Sequence, residues 1–216
     1  DWVPPPPQPP QSRFEPSDRQ SERVAALLEA LFPGWKPSSE GGNRLVLLNA
    51  NASDLLPLRR WEPERYAALA KRLLAWDAQL RVVFTGGPSE AEAAERLAEE
   101  ANDPRCASAA GKTSLDDLLT LYHFADVLVT NDSGPAHFAC LTPVDVVVLF
   151  GPETPKLFGA VGPRVHILYA KTACSPCVNA YNHRTTRCRR PVCMERIDVD
   201  AVFEAVVAAF ARRRGG

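Results

Sequence analysis

At 216 residues the chain suits one domain, or one domain with an arm, rather than two. With 25 Lys plus Arg against 26 Asp plus Glu, its net charge of −1 excludes a strong overall attraction to nucleic acid or to an anionic membrane. Apolar residues make up 45% and charged residues 24%, an ordinary balance for a soluble globular domain, and no apolar run approaches the roughly 20 residues of a membrane helix.

The chain opens Asp1-Trp2-Val3-Pro4 without Met and closes Arg212-Arg213-Arg214-Gly215-Gly216, which leads to the expectation of a piece of a longer protein cut at a linker. No charged-then-apolar leader is visible, so a cytoplasmic location is expected. Prolines 4, 5, 6, 7, 9 and 10 deny the first residues helix and sheet ladders, and residues 1–16 read as an extended Pro-rich arm before a domain at 17–216. An interdomain linker is the plain reading of that arm; a docking peptide for a Pro-binding module is the other.

Val24, Leu27, Leu28 and Leu31 then recur at helical spacing, and Pro33-Gly34 stops the helix. Leu45 to Leu48 is a short apolar run that fits a strand buried on both faces. Tyr66, Leu69, Ala70, Leu73 and Leu74 form a helical stripe, and Arg81 to Thr85 a second strand closed by Gly86-Gly87. Ala91, Ala94, Leu97 and Ala98 predict another helix. Leu115, Leu118, Leu119 and Tyr122 predict the next, opened by Ser114 with Asp117 three residues on as a short-armed capping box. Val127 to Thr130, Val144 to Phe150 and Val165 to Tyr169 read as strands, and Val199 to Phe210 as the last helix. Strands alternating with helices predict an α/β fold, a Rossmann-like parallel sheet covered on both faces. Ligands of such sheets bind at the carboxyl ends of the strands, so the informative loops follow Asn49, Thr85, Thr130 and Phe150.

The loop Thr130-Asn131-Asp132-Ser133-Gly134-Pro135-Ala136-His137 carries a strand into a helix start through small polar residues. Backbone N–H groups there suit an anion, Ser133 adds a hydroxyl, Gly134 permits close approach, and His137 reaches back from one turn further on. Asp132 disfavours phosphate and suits sugar hydroxyls. The plain alternative is that Asp132 and Ser133 cap a helix and His137 is a packed histidine. After the first strand, Asn51 and Ser53 are small donors, and Arg59 with Arg60 supplies cations for a diphosphate; a solvated Arg pair is the plain reading. Glu90, in Gly86-Gly87-Pro88-Ser89-Glu90, either compensates a helix dipole or accepts ribose hydroxyls. Gly151-Pro152-Glu153-Thr154-Pro155 is stiffened by two prolines, as a pocket wall or an ordinary turn would be. Neither a GxGxxG fingerprint nor a P-loop occurs.

Cys106 and Cys140 stand alone and read as buried small residues. Cys174, Cys177, Cys188 and Cys193 are spaced C-x2-C-x10-C-x4-C within a Cys-rich loop at 171–196. Zinc, two disulfides and reduced thiols are the three readings of that cluster. Arg184, Arg187, Arg189, Arg190 and Arg196 make the same loop a basic flap over an anionic ligand or lipid surface, or simply a solvated segment.

The string Asp132-Ser133-Gly134-Pro135-Ala136-His137 resembles the D-[ST]-G-x-x-H signature of the heptosyltransferase-like glycosyltransferases of family 9. Trp61-Glu62-Pro63, Gly111-Lys112-Thr113-Ser114-Leu115, Phe150 to Pro155 and the Cys-rich loop follow that family's order, so the resemblance spans roughly residues 43 to 205. It implies one half of a GT-B fold, the C-terminal, nucleotide-sugar-binding half. It assigns Ser133, Gly134 and His137 to the diphosphate, Asp132 to the donor sugar and Glu90 to the ribose. Asn51 and Ser53 fall to the donor loop, and Arg59, where the family usually has Lys, to the departing phosphate. The implied reaction is an inverting transfer from a nucleoside diphosphate sugar (ADP- or UDP-linked, with heptose the best-known case) to a lipopolysaccharide-type or other glycan acceptor. It needs no cofactor and no dedicated metal. The general base and the acceptor are expected in the N-terminal half, with the enzyme peripheral on the inner membrane. This chain alone would therefore bind donor without turning over. A sugar-nucleotide epimerase and a non-catalytic nucleotide-binding or zinc-stabilised interaction module are the alternatives.

Overall fold

Leu45, Val46, Leu47 and Leu48 are all fully buried, as a strand covered on both faces requires. In the computed structural model, which describes residues 13–37, 41–52, 56–179, 182 and 185–214, they form the centre of a sheet. Six parallel strands, β1 (Arg44–Asn49), β2 (Leu80–Phe84), β3 (Cys106–Ser108), β4 (Val127–Asn131), β5 (Asp145–Phe150) and β6 (Val165–Tyr169), lie in the order β3-β2-β1-β4-β5-β6. This is the doubly wound order, and the chain changes winding direction between β1 and β4.

Side chains alternate between two apolar layers. Val46, Leu48, Val82, Val129 and Leu149 face α2 (Pro63–Trp76), α3 (Ala91–Ala101) and α8 (Val199–Arg214). Leu45, Leu47, Leu128, Val146 and Val148 face α1 (Asp18–Leu31) and α4 (Leu115–Phe124). Local signals set the helix ends. Ser17 and Gln20 form a reciprocal capping box at α1, and the Ser114 hydroxyl accepts from the Asp117 amide at 3.1 Å to open α4. Gly111 makes the turn before α4 in the left-handed region, at φ +73°.

The structure adds what periodicity does not carry: the three-residue edge strand β3 and the short helices α5 (Gly134–Ala139), α6 (Pro155–Phe158) and α7 (Val192–Glu195). Cys106 on β3 and Cys140 after α5 are half-buried rather than fully enclosed. Prolines 4 to 10 lie outside the described residues. At the start of the described chain the Phe14 amide donates to Leu141 O at 2.9 Å, and the Phe14 carbonyl lies 2.6 Å from His123 Nε2. Among the described residues no helix is long and apolar enough to cross a membrane.

At the amino ends of β4 and β5, the Arg213 guanidinium from α8 binds Asp145 Oδ2 at 3.0 Å and the Pro143 carbonyl at 2.9 Å, with Asp126 Oδ1 at 3.6 Å. Both carboxylates are buried, and Asp126 also accepts the Leu45 amide at 2.8 Å. Arg213→Ala strands them with less compensation. His166 and Arg164 still face Asp145, and Arg213 is partly exposed, so the loss is expected at about 1–3 kcal/mol, read as a lower urea midpoint.

Candidate functional site

A cavity of about 560 Å³ opens at the carboxyl ends of β1, β2, β4 and β5, over the switch point. Asn49, Asn51, Arg59, Glu90, Asp132, Ser133, Gly134, His137 and Glu153 line it, with an apolar wall of Leu115, Leu118, Leu157 and Phe158. Loops far apart in sequence thus converge where the sheet's topology predicts. Seven of the eight residues singled out from the sequence are among them; Ser53 lies outside the described residues.

Position in the loop after β1 depends on one buried amide. The Asn131 side chain at the end of β4 accepts the Trp61 amide at 3.0 Å and donates to the Ala50 and Asn51 carbonyls at 3.1 and 3.2 Å. Trp61 is itself fully buried, donates Nε1 to Ile197 O at 2.7 Å and packs edge-on against Tyr66 at 4.9 Å. Between these anchors a short 3₁₀ turn, Pro57–Arg59, delivers the Arg59 guanidinium to the cavity. Arg60 does not follow it there. Its Nη2 donates to the Ala52 carbonyl at 2.7 Å, so of the expected Arg pair one member is a loop clamp.

The β4–α5 turn is built differently from a plain helix cap. No side chain caps α5; the Ser133 hydroxyl instead lies 3.2 Å from the Asn131 carbonyl. The amides of Ser133 and Gly134 make no hydrogen bond to a described residue, and Pro135 has none to offer. His137 is exposed on the cavity wall rather than packed in the apolar interior. After β2, Glu90 Oε2 accepts the Gly87 amide at 2.6 Å, which is the local capping role, while the residue also borders the cavity. A Cβ at Gly86 would lie 2.7 Å from Asn51 Nδ2 and 3.0 Å from Glu90 Oε2, so any side chain there would make these two side chains move.

Sequence reasoning saw only stiffness in the loop after β5 and missed Glu153. That carboxylate is 2% exposed and lies 3.3 Å from Arg59 Nη1, with Asp132, 4% exposed, 3.7 Å from the same nitrogen. Asp132 therefore faces an acid and a guanidinium within the cavity. Burial pushes its carboxyl up to about 7; Arg59 opposes the rise and Glu153 adds to it. The available signal was an acid placed directly after a buried strand and Gly-Pro.

The Cys-rich loop runs behind this wall. The Cys177 and Val178 amides both donate to the Pro152 carbonyl, at 2.9 and 3.0 Å, and the Ser175 hydroxyl bonds the Gly151 carbonyl. All six cysteines are free thiols, with Cys193 buried and Cys174 exposed, so neither disulfide is formed. Among the described residues no group of three or more His, Cys, Asp or Glu side chains is arranged to hold a metal ion, so the zinc reading gains no support. The loop's described arginines stay outside the cavity; Arg190 pairs with Glu195 at 2.7 Å.

Together, a doubly wound parallel sheet and a switch-point cavity with polar floor and apolar wall define a Rossmann-like α/β domain with its cavity where ligands of such sheets bind. Residues 5–186 match the model of glycosyltransferase family 9 (heptosyltransferase), and the chain belongs to that family. It is 35% identical over 115 residues to lipopolysaccharide heptosyltransferase 2 of Escherichia coli (strain K12), covering 52% of this chain and 32% of that protein. The aligned stretch thus spans about a third of the length of that curated relative. The fold superposes on E. coli ADP-heptose lps heptosyltransferase II with a TM-score of 0.72 at 20% identity, covering 96% of this chain and 56% of the other. The family 9 glycosyl transferase of Veillonella parvula DSM 2008 gives 0.75 at 21%, covering 93% and 54%. These are GT-B glycosyltransferases.

Proposed function

We propose that this chain is the donor-binding half of an inverting glycosyltransferase, and that the cavity over β1 and β4 holds a nucleoside diphosphate sugar. The observation that carries this reading is the convergence of Arg59, the unbonded Ser133 and Gly134 amides, and His137 on one cavity. A related fold, E. coli heptosyltransferase WaaC, was solved with ADP (TM-score 0.60, 21% identity, covering 93% of this chain and 51% of that one), which supports an ADP-linked donor. The relatives' names support heptose as the sugar and a lipopolysaccharide-type acceptor.

In this reading the diphosphate lies against the β4–α5 turn. The base rests on Leu115, Leu118 and Leu157; Leu115 and Leu157 otherwise leave their apolar surface to solvent, at 55% and 70% exposed. The ribose falls to Glu90, with Asn51 and Ser53 in the adjoining loop, and the donor sugar to Asp132. An acceptor hydroxyl, deprotonated by a base in the other half, attacks the anomeric carbon from the face opposite the diphosphate. The glycosidic C–O bond breaks, the configuration inverts, and the nucleoside diphosphate leaves with the bonding electrons. Arg59, His137 and the two amides stabilise the charge that develops on it.

Titration calorimetry with ADP- and UDP-linked sugars tests the reading. Saturable binding is expected, and His137→Ala weakens it about tenfold, roughly 1–1.5 kcal/mol for one hydrogen bond to a charged group. The same chain mixed with donor and acceptor is expected to transfer no sugar. Absence of binding by either class of donor defeats the donor assignment, and transfer by this chain alone defeats the division of labour.

A further inference from the structure

Asn131 is fully buried and absent from the cavity's described lining residues, so a ligand there meets what Asn131 holds rather than its side chain. What it holds is the loop after β1. Oδ1 accepts the Trp61 amide, and Nδ2 donates to the Ala50 and Asn51 carbonyls. These bonds close both ends of the stretch that carries Arg59 into the cavity.

A second amide braces the same peptide from the other side. Asn49 Oδ1 accepts the Asn51 amide at 3.3 Å, while Asn49 Nδ2 donates to the Thr85 carbonyl at 3.2 Å. Asn51 is thus held at its N–H from β1 and at its C=O from β4. The Asn131 carbonyl in turn receives the Ser133 hydroxyl at 3.2 Å. A single buried residue therefore sets the place of the Arg59 loop relative to the β4–α5 turn.

We propose that Asn131 is a positioning residue of the donor site, acting on the bound diphosphate through Arg59 without touching it. The role needs an acceptor and a donor on one short side chain. Its partners fix the orientation of the amide, since one is an N–H and the other two are carbonyls. A carboxylate of the same shape has nothing to donate to those carbonyls, and leucine offers neither group. Removing the amide strands three main-chain groups at the buried end of the loop. The loop regains partners only by moving or by admitting water, and a shift of about 1 Å in a fixed cation is enough to spoil its contact with a ligand.

The inference rests on the donor-binding reading, and the experiment separates the two. ADP-glucose is the probe, titrated into the wild-type chain, into Asn131→Ser and Asn131→Leu, and into the same two substitutions combined with Arg59→Ala. Serine is too short to bridge, and leucine keeps the size without the polar atoms. Two variants are used so that one folded form, verified by circular dichroism, suffices. Each substitution alone is expected to raise Kd about five- to tenfold, as for a displaced charge-assisted contact. In the Arg59→Ala background it is expected to change Kd less than about twofold, because the guanidinium it would misplace is already gone. A residue that serves the fold alone would lower the urea midpoint but leave Kd of the folded chain in place, or act equally in both backgrounds. Unchanged Kd in a folded Asn131 variant, or equal loss with and without Arg59, overturns the positioning role while leaving the donor reading intact. No binding of ADP-glucose by the wild-type chain overturns both.

Discussion

Arg59→Ala is expected to weaken ADP-glucose binding by one to two orders of magnitude, roughly 1.5–3 kcal/mol, the range for a charge-assisted bond lost from a largely enclosed site. Among the described lining residues no second Lys or Arg takes its place, because Arg60 is spent on the Ala52 carbonyl and Lys156 points to solvent. The substitution also removes the guanidinium that pairs with both Asp132 and Glu153. Arg59→Lys restores charge but not the planar fork that presents its N–H groups at fixed angles, so a partial recovery is expected. Calorimetric Kd values for the three forms, with circular dichroism to show that each is folded, decide the matter. Unchanged affinity in the alanine form would remove the guanidinium from the binding site.

Trp61→Ala is expected to cost about 3–5 kcal/mol of folding stability, the usual range for a large aromatic deleted from a filled core. The indole is fully enclosed, packs edge-on against Tyr66 and donates to the Ile197 carbonyl, so the substitution opens a cavity and leaves that carbonyl without this donor. The effect reaches the donor pocket because Arg59 lies two residues upstream, on a segment held by Trp61 at one end. A lower urea midpoint accompanied by weaker ADP-glucose binding is expected for alanine. Phenylalanine keeps the packing but not the N–H, and should recover most of the stability. Near wild-type stability in the alanine form would contradict the packing described.

The central strands and long helices were legible because their burial is written in their own residues. Leu45 to Leu48 is apolar throughout, and Leu69, Leu73 and Leu74 recur at helical spacing. β3 was not legible: Cys106-Ala107-Ser108 has no periodic apolar signature and becomes a strand by pairing with Val82 to Phe84. The site divides the same way. Asp132 to His137 announced itself as a short polar string between a strand and a helix. Glu153 did not, since its partner Arg59 is brought in from another loop, 94 positions earlier. The Asn131 amide was likewise visible as a residue but not as a tether, because its partners lie some 80 and 70 positions earlier in the chain. Arg59 and Arg60 looked equivalent, but Arg60 turns onto the Ala52 carbonyl while Arg59 enters the cavity.

The rim of the sheet has a consequence for how such a molecule diversifies. Every wall around the cavity belongs to a different crossover, whereas the ladder bonds and both apolar layers lie below them. Exchanging the stretch from Glu153 to Gly159 would redraw one side of the recess with each strand's register intact. The lining of the recess can therefore drift while the scaffold stays under constant selection for folding.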